Sequence, residues 1–285
     1  MPDDFEDRII NIKTAETIKA DAKKPWKDQE MKGKMESRFF FRTALAKSIL
    51  PFTLYKPDII VLPVMIKPDE TGKKKTHLYS SLELRREGYL EAAKWFKTVE
   101  NIWDLLKTDK SSKMSSNGRL DFQKGLTEQN LEARYLVLYN TSGKDANATI
   151  VDRENLDLHF YCESVAYAYF TENINEAFYL TAIFNSTSPN ELMKDFQSKG
   201  LFGARHVHKK ILDIYYPKFD ENNDLHIKLA ELSGAAHKKA KEYLEANPPQ
   251  KELAANLLGR LRLEIKKHLS AEMKEIDLLV KKVVG

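Results

Sequence analysis

A chain of 285 residues with 42% apolar and 31% charged side chains can fill one large or two modest domains, and a core of that size needs no disulfide or metal to hold it. Its 46 Lys and Arg against 42 Asp and Glu leave a net charge of +4, so composition excludes both a disordered chain and a strongly basic one. The longest apolar stretch, Ile59 to Ile66, is broken by Pro63 and falls short of the roughly 20 residues of a membrane helix. Met1 is followed by Pro-Asp-Asp-Phe-Glu-Asp, which has neither the basic start nor the apolar middle of a secretory signal; a cytoplasmic protein with no membrane partner is expected.

In chain order, residues 1–36 are polar, with a short apolar run at Ile9, Ile10, Ile12 and Ile18 and a helix-breaking Pro25, and read as a linker or N-terminal helical segment. Pro51 to Tyr55 and Ile59 to Met65 read as extended segments across the turn Lys56-Pro57-Asp58. Between Arg85 and Lys107 the residues Tyr89, Ala93, Phe96, Val99, Trp103 and Leu106 make one apolar helical face, which assigns Trp95, Phe96 and Trp103 to packing rather than to base stacking. Thr108 to Ser116 reads as a loop running into the turn pair Asn117-Gly118. Tyr135 to Tyr139 and Thr149 to Val151 read as a hairpin, and His159 to Cys162 as a further strand. Ser188-Pro189-Asn190-Glu191 has the chemistry of a helix start, with Gly200 as its stop. Ile211 to Tyr216 reads as extended. From Asp224 three apolar seams follow: Leu225 to Tyr243, Leu253 to Ile265 and Met273 to Val283, the first two separated by Asn247-Pro248-Pro249; they predict a helical C-terminal portion.

The chemistry-bearing signatures are sparse. No phosphate-binding glycine loop, HExxH pair, nucleophile elbow or kinase set occurs, and the lone Cys162 excludes an internal disulfide and multi-cysteine metal sites. Asp220, Asn222, Asp224 and Glu231 have calcium-loop spacing, but Leu225 stands where the sharp turn needs glycine; capping of the next helix by Asn223 or Asp224 is the expectation. Asn247-Pro248-Pro249-Gln250 has the start of an amino-methylating motif but Gln in place of its aromatic residue, and reads as a connection between helices. The basic side chains from Lys67 to Lys124, thirteen against nine acidic ones, suit either a solvated surface or phosphate contacts.

Three groups of residues carry a resemblance. The first is Ser37-Arg38-Phe39-Phe40-Phe41 leading to Ile49-Leu50-Pro51-Phe52. The second is Arg119-Leu120-Asp121-Phe122 with Leu126-Thr127-Glu128-Gln129-Asn130 and Tyr135 to Gly143. The third runs from Ala177-Phe178-Tyr179-Leu180 through Asp195-Phe196-Gln197-Ser198-Lys199-Gly200-Leu201-Phe202-Gly203-Ala204-Arg205 and His208-Lys209-Lys210 to Pro217-Lys218-Phe219-Asp220. Together they resemble the C-terminal target-recognition regions of large prokaryotic N6-adenine DNA methylases related to type IIG and type I restriction-modification enzymes.

The resemblance implies an α+β fold: a mixed target-recognition domain over 37–220, preceded by the segment 1–36 and followed by a helical, spacer-like portion over 221–285. It implies double-stranded DNA as a partner, and a methylase domain or subunit as another. Site-specific adenine-N6 methyl transfer would then belong to the parent or partner protein, and S-adenosylmethionine is expected only for that catalytic domain; no cofactor, metal or catalytic residue is assigned to this chain. The residues expected to meet DNA are Gln197, Lys199, Arg205, His206, His208, Lys209 and Lys210, around Gly200 and Gly203, with Ser198 and Asn185 as neutral hydrogen-bonding groups nearby. Basic side chains hold phosphates and amides read base edges. The alternative reading is a docking module whose C-terminal helices bind a separate methylase or nuclease subunit.

Overall fold

The computed structural model describes residues 8–16, 22–195, 199–200, 203–204, 207 and 209–284. In chain order its elements are strands β1 (Ile9–Lys13), β2 (Lys32–Glu36), β3 (Phe40–Thr43), β4 (Ile49–Leu50), β5 (Thr53–Leu54), β6 (Asp58–Val61), β7 (Val64–Pro68) and β8 (Lys74–Leu78), then helices α1 (Ser81–Arg86), α2 (Leu90–Leu106) and α3 (Ser116–Leu120). There follow β9 (Tyr135–Asn140), β10 (Ala148–Asp152), β11 (Ala166–Thr171), α4 (Ile174–Asn185), α5 (Thr187–Lys194), β12 (Lys199–Gly200), β13 (Gly203–Ala204), α6 (Asp224–Ala246), α7 (Ala255–His268) and α8 (Ser270–Val284). Helices and small antiparallel sheets together define the α+β class expected. Among the described residues no helix is long and apolar enough to cross a membrane. The chain forms two compact units, one from Met1–Phe41 and Ile59–Leu131, the other from Arg42–Asp58 and Glu132–Gly285.

In the first unit β1 and β2 pair as an antiparallel ribbon, from Ile9 opposite Glu36 to Lys13 opposite Lys32. The run read as linker is therefore strand at both ends: β-branched Ile9, Ile10 and Ile12 favour the pleat, and their partner lies some twenty residues on, beyond local pattern. β7 and β8 form a hairpin from Val64 opposite Leu78 to Pro68 opposite Lys74. The core gathers Met35, Phe39, Met65, Leu84, Ala92, Ala93 and Phe96.

The expected helix face over 85–107 is present, but the chain divides it. α1 opens on a capping box between Ser80 and Glu83, Gly88 turns at φ +89°, and α2 begins at Leu90. The first amides of α2 are held by the Glu36 carboxylate, which accepts from Glu91 N at 2.9 Å and Ala92 N at 2.7 Å; a negative charge there also suits the helix dipole. A Cβ added at Gly33 would lie 3.2 Å from the Trp95 ring, which explains a glycine in mid-strand. Trp103 stacks on Trp26 at 5.5 Å and donates to Met114 O at 2.7 Å, so the tryptophans are packed as expected. Asn117-Gly118 is helical rather than a turn: Ser115 Oγ caps Gly118 N at 3.0 Å, and the Asn117 amide donates to Tyr79 O.

In the second unit β9 is the central strand of an antiparallel sheet ordered β10-β9-β11. The expected hairpin is present, with Tyr139 opposite Ala148 and Tyr135 opposite Asp152. Alternation divides the faces. Val137 and Tyr139 join a core with α4 residues Ala177, Leu180, Ile183 and Phe184 and with seam residues Leu229, Ala236, Ala240, Leu261, Ile265, Met273, Ile276 and Val280, while Leu136 and Leu138 face Ala44, Ile49, Val151 and Phe160. His159 to Cys162 contributes a single bridge, Phe160 to Arg42, instead of a strand. Burial pushes the Cys162 thiol up to about 12.

Pro51 to Tyr55 is not one extended run. Pro51 and Phe52 form the two-residue turn between β4 and β5, with buried Phe52 at φ +58°. The helix expected to be capped by Ser188 and to begin at Pro189 starts two residues earlier, with Ser186 in the cap position and Thr187 first, where Asp277 of α8 accepts from Thr187 N and Oγ1, both at 2.7 Å. The three C-terminal helices follow their seams, and Asn223 Oδ1 caps α6 through Leu225 N and His226 N, the bland use of that acidic stretch.

Candidate nucleic-acid interface

The basic segment after α5 begins with two short strands, Lys199 opposite Ala204 and Gly200 opposite Gly203. Of the residues expected to meet DNA, Lys199 stands in β12 and Lys209 and Lys210 are described with their side chains; Gln197, Ser198, Arg205, His206 and His208 lie outside the described residues.

Local packing decides where the two lysines point. Val207, Ile211 and Ile214 are buried in the main core of the unit, and one helical turn joins them, with Lys210 N donating to Val207 O at 3.0 Å and Leu212 N to Lys209 O at 2.9 Å. Ile211 to Asp213 therefore belongs to a 3-10 turn over Lys210–Asp213 rather than to the extended run expected. With Val207 and Ile211 inward, Lys209, Lys210, Leu212 and Asp213 face solvent. Lys210 Nζ meets Asp213 at 3.3 Å, an exposed pair that a phosphate can displace at little cost.

Two residues on, Tyr215 is 78% exposed while its neighbour Tyr216 turns inward, edge-on to Phe184 at 6.0 Å, where burial raises its phenol pKa. The chain is held here by Tyr179, whose hydroxyl donates to Pro217 O at 2.9 Å, and by Phe219, which lies against Tyr179 and His226. Lys218 is exposed again. Tyr169 of β11 is 46% exposed and donates to Glu176 Oε1 at 3.0 Å; partial burial and that carboxylate raise its phenol pKa. The result is an exposed run carrying Lys209, Lys210, Tyr215 and Lys218 on a backbone pinned to the core, a combination suited to a polyanion with flat, stackable parts. Tyr215 was not among the residues expected from sequence, although a signal was there: Ile214 and Tyr216 two apart place the residue between them outside.

Asn185 belongs elsewhere. It is fully buried, and its amide is bonded to the backbone of Ala148, so it offers nothing to DNA. The Asn247 amide donates to Tyr243 O at 2.9 Å and Gln250 to Pro248 O at 3.1 Å, closing the link between α6 and α7. Among the described residues no three His, Cys, Asp or Glu side chains converge as a metal site. Of the basic side chains before residue 124, Lys107 pairs with Asp104 at 2.9 Å and the Arg119 guanidinium lies over the Phe122 ring. No family model matches the chain, and no curated protein sequence does.

Proposed function

We propose that this chain is the sequence-specific duplex-DNA recognition module of an adenine-N6 DNA methyltransferase or restriction-modification system, with methyl transfer and S-adenosylmethionine binding left to another domain or subunit. The observation that carries the reading is the run of exposed Lys209, Lys210, Tyr215 and Lys218 on a segment anchored by Val207, Ile211 and Ile214. Flexible ammonium groups fix register on phosphates without reading sequence; a rigid segment beneath them presents neighbouring groups to base edges in a fixed geometry. The family resemblance of residues 195–220 supports the same use of this segment.

A second reading, docking onto a methylase or nuclease subunit through the C-terminal helices, is favoured by Leu263 and Leu278, which are 68% and 56% exposed on α7 and α8. The two readings are compatible, since a specificity subunit needs both surfaces.

The test is a salt-titrated selection from a randomised duplex pool, with the bound sequences read out. Enrichment of a short shared motif, with affinity falling as salt rises, is expected. Absence of both duplex binding and enrichment at low salt overturns the DNA reading and leaves docking, which a pull-down of the methylase subunit then decides.

A further inference from the structure

The β1–β2 ribbon stands outside the interface just described, in the other compact unit, and its register gives it a chemical polarity. Asn11 lies opposite Lys34, and Lys13 opposite Lys32; with a two-residue period these four share one face, and all four are exposed. The opposite face, carrying Ile12, Gly33 and Met35, is the packed one: Ile12 and Met35 join the core, and Gly33 meets Trp95. Among the described residues two of these lysines meet carboxylates: Lys13 pairs with Glu16 at 3.0 Å and Lys32 with Glu30 at 3.4 Å. Both pairs are exposed and therefore weak. Lys34 makes no ion pair among the described residues.

We propose that this face is a second duplex-DNA contact surface, with Lys13, Lys32 and Lys34 on backbone phosphates and Asn11 on the same face. The inference rests on the DNA reading of the chain. Three cations on one rigid face complement a polyanion, and a two-stranded antiparallel ribbon is of a width the major groove of B-form DNA admits. Gly33 keeps the ribbon tight on Trp95, so the lysines project from a firm support instead of a loose tail.

The experiment compares duplex binding by the full chain with the triple variant Lys13→Gln, Lys32→Gln, Lys34→Gln and the charge-retaining triple Arg variant, across a salt titration. The Gln variant is expected to bind about tenfold more weakly at low salt and to show a dependence of log affinity on log salt shallower by about two to three. The Arg variant is expected to behave as wild type, and the selected sequence motif to be unchanged, because phosphate contacts position without specifying. Wild-type binding that the Gln variant matches in affinity and slope overturns the ribbon proposal alone, as does an Arg variant as weak as the Gln variant. A wild type that binds no duplex overturns the DNA reading itself.

Discussion

Asn185 Oδ1 accepts from the Ala148 amide at 2.9 Å while its Nδ2 donates to the Ala148 carbonyl at 2.8 Å, so a side chain at the end of α4 stands where a fourth strand would. β10 is the edge of its sheet, and both outward backbone groups of Ala148, which is fully buried, depend on this amide; the carbonyl is shared with Phe52 N at 2.9 Å. Asn185→Ala leaves a buried N–H unpaired and is expected to cost about 3 kcal/mol in urea unfolding. Asn185→Asp keeps the acceptor but turns an anion toward the carbonyl, and is expected to be at least as damaging at neutral pH. An Ala variant within about 1 kcal/mol of wild type would remove Asn185 from this role.

Arg262 does comparable work for the C-terminal helices. From α7 its guanidinium donates to Ala46 O at 2.9 Å and to Ile49 O at 2.8 and 3.2 Å, closing the turn before β4. Burial lowers its pKa to about 10, which leaves it charged at neutral pH. Arg262→Ala is expected to destabilise the chain by about 3 kcal/mol, since two carbonyls lose a charged donor. Arg262→Lys should recover little, because one ammonium replaces a planar fork. Thermal unfolding of the two variants side by side checks this, and a Lys variant as stable as wild type would refute the geometric part.

What was legible in the sequence divides along the same line. The apolar seams from Leu225 to Val283 mark α6, α7 and α8 because a helix writes its burial into a 3.6-residue period, and the 135–151 hairpin shows through alternation and turn chemistry. Asn185 and Arg262 were not legible in their true roles: each bonds a backbone far away in sequence, and a polar side chain gives no local sign of whether it faces solvent or an orphaned peptide group. Asn185 accordingly looked like a group available to DNA. The β1–β2 pairing and a compact unit assembled from two chain segments are long-range in the same sense. For the candidate interface, the lysines could be named from sequence, whereas the outward ring of Tyr215 needed the inward positions of Ile214 and Tyr216 to be recognised as a pair.

His237 makes stability depend on pH. Its ring lies between Phe52 and Phe178, with centroids at 5.4 and 5.1 Å; Nδ1–H donates to Ser233 O at 2.8 Å, and Nε2 is buried without a hydrogen-bond partner among the described residues. Burial holds its pKa down at about 4, against 6.5 for the free side chain. A lowered histidine pKa means the unfolded chain takes up the proton first. The contribution to stability is therefore complete above about pH 6.5 and is lost as pH falls toward 4, by about 3 kcal/mol over that interval. His237→Gln should remove most of this slope from urea midpoints measured between pH 7 and pH 4. A variant with the wild-type slope would assign the acid sensitivity to other groups.

Tyr215 separates binding from folding. A ring 78% exposed adds little to stability, so Tyr215→Ala is expected to unfold within about 0.5 kcal/mol of wild type. On the proposed DNA surface the same substitution should weaken duplex binding about tenfold, and Tyr215→Phe should distinguish loss of the ring from loss of its hydroxyl. Lys209→Ala is expected to act differently again: a uniform loss across sequences, with the salt dependence of log affinity shallower by about 0.9, the value for one phosphate contact. If Tyr215→Ala and Lys209→Ala both bind as wild type does, with unchanged salt dependence, the segment over 207–218 is a solvated surface and the DNA contacts lie elsewhere on the chain.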